Sequence, residues 1–303
     1  MLITQKYENV QKIALNSEII VNFAVIIKIS NRNMKKFLTR ASSGAIYAGV
    51  IIGCILGGEF SFFILVLLLA ILASIEFTKI TQGLRSERKW MISLDIATSV
   101  ALAASTYANL LYLSMALFLI RFIAELYSRE DNPLRSLAYS LLTIVYIGGS
   151  LSLLLYCGLE ISLRLALAMF AFIWINDTGA YIIGCRFGKH RLFERISPKK
   201  SWEGFFGGLG FNIIIACVFC LFCSEWWELG NNIIFWIGLA IIVTLFSTWG
   251  DLVESLMKRT LNLKDSGNMI PGHGGILDRI DSLLAVAPAV AIYMAIWQTI
   301  ISL

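Results

Sequence analysis

The stretch Phe60-Ser-Phe-Phe-Ile-Leu-Val-Leu-Leu-Leu-Ala-Ile-Leu-Ala-Ser-Ile-Glu-Phe77 is a nearly continuous apolar run. Crossing the hydrocarbon of a bilayer takes about 20 such residues in a helix. Further runs of this kind flank it, at about 42–58 before it and about 91–106, 108–127, 136–157, 163–184, 204–223, 233–257 and 282–302 after it. The whole chain has the same character. Of its 303 residues, 58% are hydrophobic and 15% charged, and the mean hydropathy is +0.76. Soluble domains carry about 45–50% apolar and about 25% charged residues. The expectation is an all-α, polytopic integral membrane protein of about nine transmembrane helices. A secreted enzyme, a coiled coil and a disordered chain are excluded.

Charge sets the expected orientation. With the N-terminus on the cytoplasmic side, nine spans leave 24 of the 25 Lys and Arg residues inside, Arg121, Arg129 and Arg135 among them, and only Arg164 outside. The outside loops are short or acidic, with Glu59, Glu160, Glu225 and Glu228. The net charge of +5 therefore reads as topology rather than nucleic-acid binding. Residues 1–40 are polar and mixed, and their apolar patch, Ile19 to Ile27, is too short to span. They read as a cytoplasmic extension ahead of a membrane-embedded domain over 41–303. Met34-Lys35-Lys36 is a plausible natural start, so 1–33 are an extension or a misassigned start. Cys217, Cys220 and Cys223 form a helical stripe in an apolar run, which suits small packed side chains better than zinc.

The functional groups concentrate in two cytoplasmic polar stretches, one from Asn176 to Gly204 and one from Gly250 to Asp281. Asp177 and Asp251 interrupt apolar runs. A carboxylate there costs several kcal/mol unless it faces water, a cation or a partner. It either locks helices through a buried salt bridge or lines a wet cavity, and the basic loops beside both favour the cavity. Asp278 and Asp281 are three apart at the start of the last helix and so are neighbours on its surface. Alone they read equally as acids favouring a helix N-terminus. With Asp251 approaching from another helix, three carboxylates can hold a hard cation such as Mg2+. Two histidines in the chain make zinc a poor choice.

Asp251, Ser255 and Lys258 share one helix face, and Lys199, Lys200, Arg259, Lys264 and Arg279 add positive charge around the same mouth. Positive-inside bias explains most of these cations, but Arg279 lies between two acids. Acids with a metal beside Lys and Arg are what a polyphosphate requires. Gly272-His273-Gly274-Gly275 allows backbone N–H groups to approach an anion, with His273 as a phosphate donor or acid. No Walker A sequence and no dinucleotide fingerprint occurs.

The run from Ser255-Leu-Met-Lys258-Arg259 through Lys264-Asp265-Ser-Gly267 to Pro271-Gly-His273-Gly274-Gly275-Ile-Leu-Asp278-Arg279-Ile-Asp281 resembles the signature of the phosphatidate cytidylyltransferases (CDP-diacylglycerol synthases). Asp177-Thr-Gly-Ala-Tyr181, Ser197-Pro-Lys-Lys-Ser-Trp-Glu-Gly204 and Gly250-Asp251-Leu252 resemble that family in the same order. The resemblance covers about 174–282, and Ser201 stands where Thr is usual. It implies that CTP and phosphatidic acid give CDP-diacylglycerol and pyrophosphate, and the expected location is the cell inner (cytoplasmic) membrane with the site facing the cytoplasm. It further implies Mg2+, with or without a second cation, held by Asp251, Asp278 and Asp281, and a homodimer. Ser255, Lys258, Arg259 and Arg279 are then catalytic. Asp177, Lys199, Lys200, Lys264, His273, Gly274 and Gly275 contact substrate. Rival readings are a CTP-dependent lipid kinase, which would yield CDP and a phospholipid, and an ion or solute transporter, whose acids would form a crossing pathway. A CDP-alcohol phosphotransferase lacks its spaced multi-Asp motif here.

Overall fold

The computed structural model describes residues 42–302, apart from 83, 85–87, 129–131, 268 and 270–273. The expected extension 1–40, the Met34 start and His273 lie outside the described residues. Each of the nine apolar runs between 42 and 302 is helical over most of its length. Helix α1 (Ser42–Leu56) is followed by α2 (Glu59–Ile80), α3 (Lys89–Ala103), the short α4 (Ser105–Ala108) and α5 (Leu111–Leu126). A long helix, Pro133–Ile161, contains α6 (Pro133–Leu141) and α7 (Ser150–Tyr156), with π-type stretches at Leu142–Gly149 and Cys157–Ile161. Then come α8 (Leu163–Phe187), strands β1 (Arg191–Phe193) and β2 (Ser197–Ser201), α9 (Trp202–Phe222), α10 (Ser224–Trp227), α11 (Ile233–Thr260) and α12 (Leu277–Ser302).

Local chemistry sets several of the helix starts. Asn132, Ser162, Ser201 and Asn232 each accept a backbone N–H of the first turn that follows, which satisfies donors that have no intrahelical partner. Pro133 occupies the first helical position of α6, where its fixed φ suits the helix and no N–H is missed.

Among the described residues, six helices are long and apolar enough to cross a membrane: α2, the Pro133–Ile161 helix, α8, α9, α11 and α12. Helices α3 and α5 have 15 and 16 residues, and at 1.5 Å per residue they reach roughly 22–24 Å, short of the ~30 Å hydrocarbon core. The all-α expectation needs one addition. β1 and β2 pair antiparallel, Arg191 opposite Ser201 and Phe193 opposite Ser197, with a bulge between. The segment is polar and too short to show a strand period, so no sequence signal marks it.

Helix α8 packs along α9, and α11 packs against both α9 and α12; α3 packs on α5 and the first π stretch. The interior of the α8–α12 group is apolar and aromatic, with Phe172, Phe235 and Trp236 fully buried. Apolar side chains also face outward, such as Ile214, Leu221 and Phe222 on α9. That is what a bundle solvated by lipid shows.

Two charged features differ from a plain loop count. Arg121, counted above among the cytoplasmic loop cations, lies within α5 and is 1% exposed. Its Nε meets Asp95 of α3 at 2.9 Å and its Nη1 meets Glu125 at 2.6 Å. A buried guanidinium needs such partners, so Arg121 marks helix packing rather than orientation. Arg164, the one expected outside cation, pairs with Glu228 and stacks over Trp226 at 5.5 Å.

Candidate active site

The functional side chains gather at one end of the α8–α12 group. Antiparallel packing brings together the later part of α8, the β1–β2 hairpin ahead of α9, the last turns of α11 and the start of α12. Asp177 comes from α8, Asp251, Ser255 and Lys258 from α11, and Asp278, Arg279 and Asp281 from α12.

All of these but Ser255 line a polar cavity of about 320 Å³. Its walls carry the carboxylates of Asp177, Asp251, Asp265, Asp278 and Asp281, with Lys258 and Arg279 as the cations. Two further cavities meet it at Asp177. One, of about 270 Å³, lies between α1 and α12 and is bounded by Tyr47, Trp174 and Arg279. The other, of about 560 Å³, lies under the hairpin and is bounded by Tyr181, Arg191, Lys199, Lys200, Phe205 and Asp251.

Hydrogen bonds orient the groups. Lys200 reaches from β2 to Asp251 Oδ2 at 2.8 Å and to the Thr248 carbonyl at 3.2 Å. Ser255 donates to Asp251 Oδ1 at 3.2 Å. Lys258 donates to Asp278 Oδ1 at 2.7 Å and to Glu254 Oε2 at 3.2 Å. Asp278 also accepts the N–H groups of Ser266 and Gly275. Tyr47 of α1 donates to the Arg279 carbonyl at 3.2 Å, so the first helix is tied to the segment that carries the acids.

The donors themselves show whether a divalent cation suits the site. All are hard oxygens, and five carboxylates face two side-chain cations across the cavity. Behind them, Glu254 is buried and its Oε1 has no hydrogen-bond partner. Donor type and surplus negative charge fit Mg2+. The carboxylates do not converge as they stand. Among the described residues no three acid, thiol or imidazole groups are close enough to hold one ion, since Asp251 turns to Lys200 and Asp278 to Lys258.

Not every expected residue lines a cavity. Arg259 is directed at backbone, donating to the Ile196 carbonyl at 3.4 Å and the Leu263 carbonyl at 3.2 Å, and so ties the hairpin to the end of α11. Lys264 is exposed and bounds none of the three cavities. Gly274 adopts φ +85, which favours glycine. The anion approached by the Gly275 N–H is the protein's own Asp278, at 2.9 Å. Sequence reasoning passes over Glu76 and Glu254. Both are carboxylates inside apolar runs, the same signal that singles out Asp177 and Asp251.

Fold and site define a helical membrane protein with an acid-rich polar cavity sunk into one end of its bundle. The chain belongs to the cytidylyltransferase family, whose model matches residues 38–297. It is 41% identical over 157 residues to a phosphatidate cytidylyltransferase of Staphylococcus epidermidis, a stretch covering 52% of this chain and 58% of that protein. It is 43% identical over 159 residues to one from Staphylococcus saprophyticus (52% and 58% covered). It is 41% identical over 167 residues to one from Haemophilus influenzae (52% and 57% covered). The matched stretch thus spans little more than half the length of these relatives.

Proposed function

We propose that the protein transfers CMP from CTP to phosphatidic acid, forming CDP-diacylglycerol and pyrophosphate for phospholipid synthesis. The observation that carries this reading is the single cavity in which carboxylates from α8, α11 and α12 meet Lys258 and Arg279. The kinship with phosphatidate cytidylyltransferases supports it.

In the proposed reaction an oxygen of the lipid phosphate bonds to the α-phosphorus of CTP, and the bond from that phosphorus to the β-phosphate oxygen breaks. The attacking group is already an anion, so no strong base is required. Lys258 and Arg279 hold the two polyanions beside each other and offset their repulsion. Lys199, Lys200 and Arg191 line the larger cavity with Tyr181 and Phe205, a mixture of cations and aromatic rings suited to a nucleotide. The cavity bounded by Tyr47 and Trp174 suits a lipid headgroup whose acyl chains stay in the bilayer. Ser255 holds Asp251, Arg259 acts through the hairpin, and His273 and Gly274 contribute to substrate binding, whereas Lys264, outside the three cavities, adds only positive charge at their mouth. Asp251, Asp278 and Asp281 would hold Mg2+, alone or with a second cation, which would supply neutralisation of charge on the triphosphate and on the departing pyrophosphate.

The proposal includes nine spans, a cytoplasmic N-terminus and a homodimer in the inner membrane with the site facing the cytoplasm. The deciding experiment incubates the purified full chain with phosphatidic acid, Mg2+ and CTP labelled at the α- or the γ-phosphate. The expected result is α-label in a CDP-lipid and γ-label in pyrophosphate. Transfer of γ-label to lipid with release of CDP would make it a lipid kinase. Solute flux in liposomes without CTP turnover would make it a transporter.

A further inference from the structure

Glu76 lies near the end of α2, some 200 residues from the signature segment, and is buried. Its carboxylate accepts the Ile276 N–H at 2.8 Å and the Leu277 N–H at 3.3 Å, and it also accepts the Ser266 hydroxyl. The first N–H groups of a helix have no intrahelical partner, and a residue just ahead of the helix usually serves them. Here the start of α12 is served from a different helix.

Two glycines make room for this contact. A Cβ on Gly275 would fall on the Glu76 carboxylate and the Ser266 hydroxyl, and one on Gly267 would meet the same carboxylate at 3.0–3.3 Å. Asp278 closes the turn from the other side through the N–H groups of Ser266 and Gly275. The turn that launches α12 is therefore held between two acids, one that lines the cavity and one that does not.

We propose that Glu76 is a positioning residue for the reaction: through the start of α12 it fixes where Asp278 and Asp281 stand. The inference deepens the cytidylyltransferase reading and rests on it for the catalytic consequence. The structural consequence is independent of that reading. Glu76 bounds none of the three cavities, so it acts through α12 and not on substrate.

The test compares wild type with Glu76→Ala and Glu76→Gln, each as purified full chain in detergent, by peptide-resolved amide hydrogen exchange and by Mg2+ titration of activity. Glu76→Ala is expected to speed exchange in 274–281 with no change in α8 or α9. It is expected to raise the half-saturating Mg2+ by about tenfold or more and to lower kcat by roughly ten- to a hundredfold, with a smaller change in KM for CTP. Glu76→Gln keeps one acceptor oxygen and should fall between, and it carries the test if the alanine variant does not fold. Wild-type exchange over 274–281 in folded Glu76→Ala would overturn the proposal. So would faster exchange with unchanged kcat and Mg2+ requirement, which would leave Glu76 a packing contact. If wild type makes no CDP-lipid, the functional reading fails, while the exchange measurement still decides whether Glu76 holds the turn.

Discussion

Asp281 lies in the second turn of α12, beside Asp278 and across the cavity from Asp177 and Asp251. Its value to the proposed reaction is as a hard oxygen ligand, a role Asn fills poorly and Ala cannot fill at all. Asp281→Ala should yield folded protein, because removing one of several like charges from a cavity relieves repulsion. CDP-lipid formation should fall by more than the roughly 10–100-fold that outer-shell partners of a metal are worth. Thin-layer chromatography of the labelled lipid reads this directly, and full activity at saturating Mg2+ would remove Asp281 from the mechanism. The residue scale also shows where sequence reading stops. That Lys258 meets Asp278 while Arg259, its neighbour, turns to the Ile196 carbonyl depends on helix rotation and on a hairpin with no sequence signal of its own.

Helices α3, α5 and α6 are joined by a buried polar cluster. Arg121 binds Asp95, Glu125 and the Ser136 hydroxyl, while Ser140 donates to Asp95 and Ser128 to Glu125. Breaking a buried ion pair by removing one partner costs about 3–5 kcal/mol, since the remaining charges are left uncompensated. Arg121→Met should therefore lower the thermal midpoint in detergent by that equivalent. The triple change Asp95→Leu, Arg121→Met, Glu125→Leu should recover most of the loss, because the three charges leave the buried cluster together. Activity per folded molecule should be unchanged in both, as the cluster lies outside the three cavities. An unaltered midpoint in Arg121→Met would show that the cluster contributes nothing to holding these helices.

At the scale of the whole molecule, sidedness and ligand access meet at one thiol. Of the six free cysteines, Cys185 is the exposed one, and it bounds the larger cavity beside Tyr181 and Gly188. A membrane-impermeant maleimide should label it in inside-out vesicles and spare it in intact cells, and CTP with Mg2+ should slow the labelling. Labelling from the outer face would reverse the proposed orientation, and labelling indifferent to CTP would remove the nucleotide from that cavity. The helical membrane architecture was legible in the sequence, because a bilayer demands long apolar runs wherever a chain crosses it; the runs are largely helical, and among the described residues six helices are long and apolar enough to cross. Asp177 and Asp251, which line the polar cavity, stand out in the sequence because charge inside an apolar run is costly, but the same signal also marks Glu76, Glu254 and the Arg121 cluster, which line none of the three cavities. Tertiary structure alone decided which charges meet. It set Arg121 into a buried cluster, Lys200 onto Asp251, and Glu76 under the first turn of α12. Those pairings join residues tens to hundreds of positions apart, and packing angles and helix rotations, which no local pattern encodes, determine them.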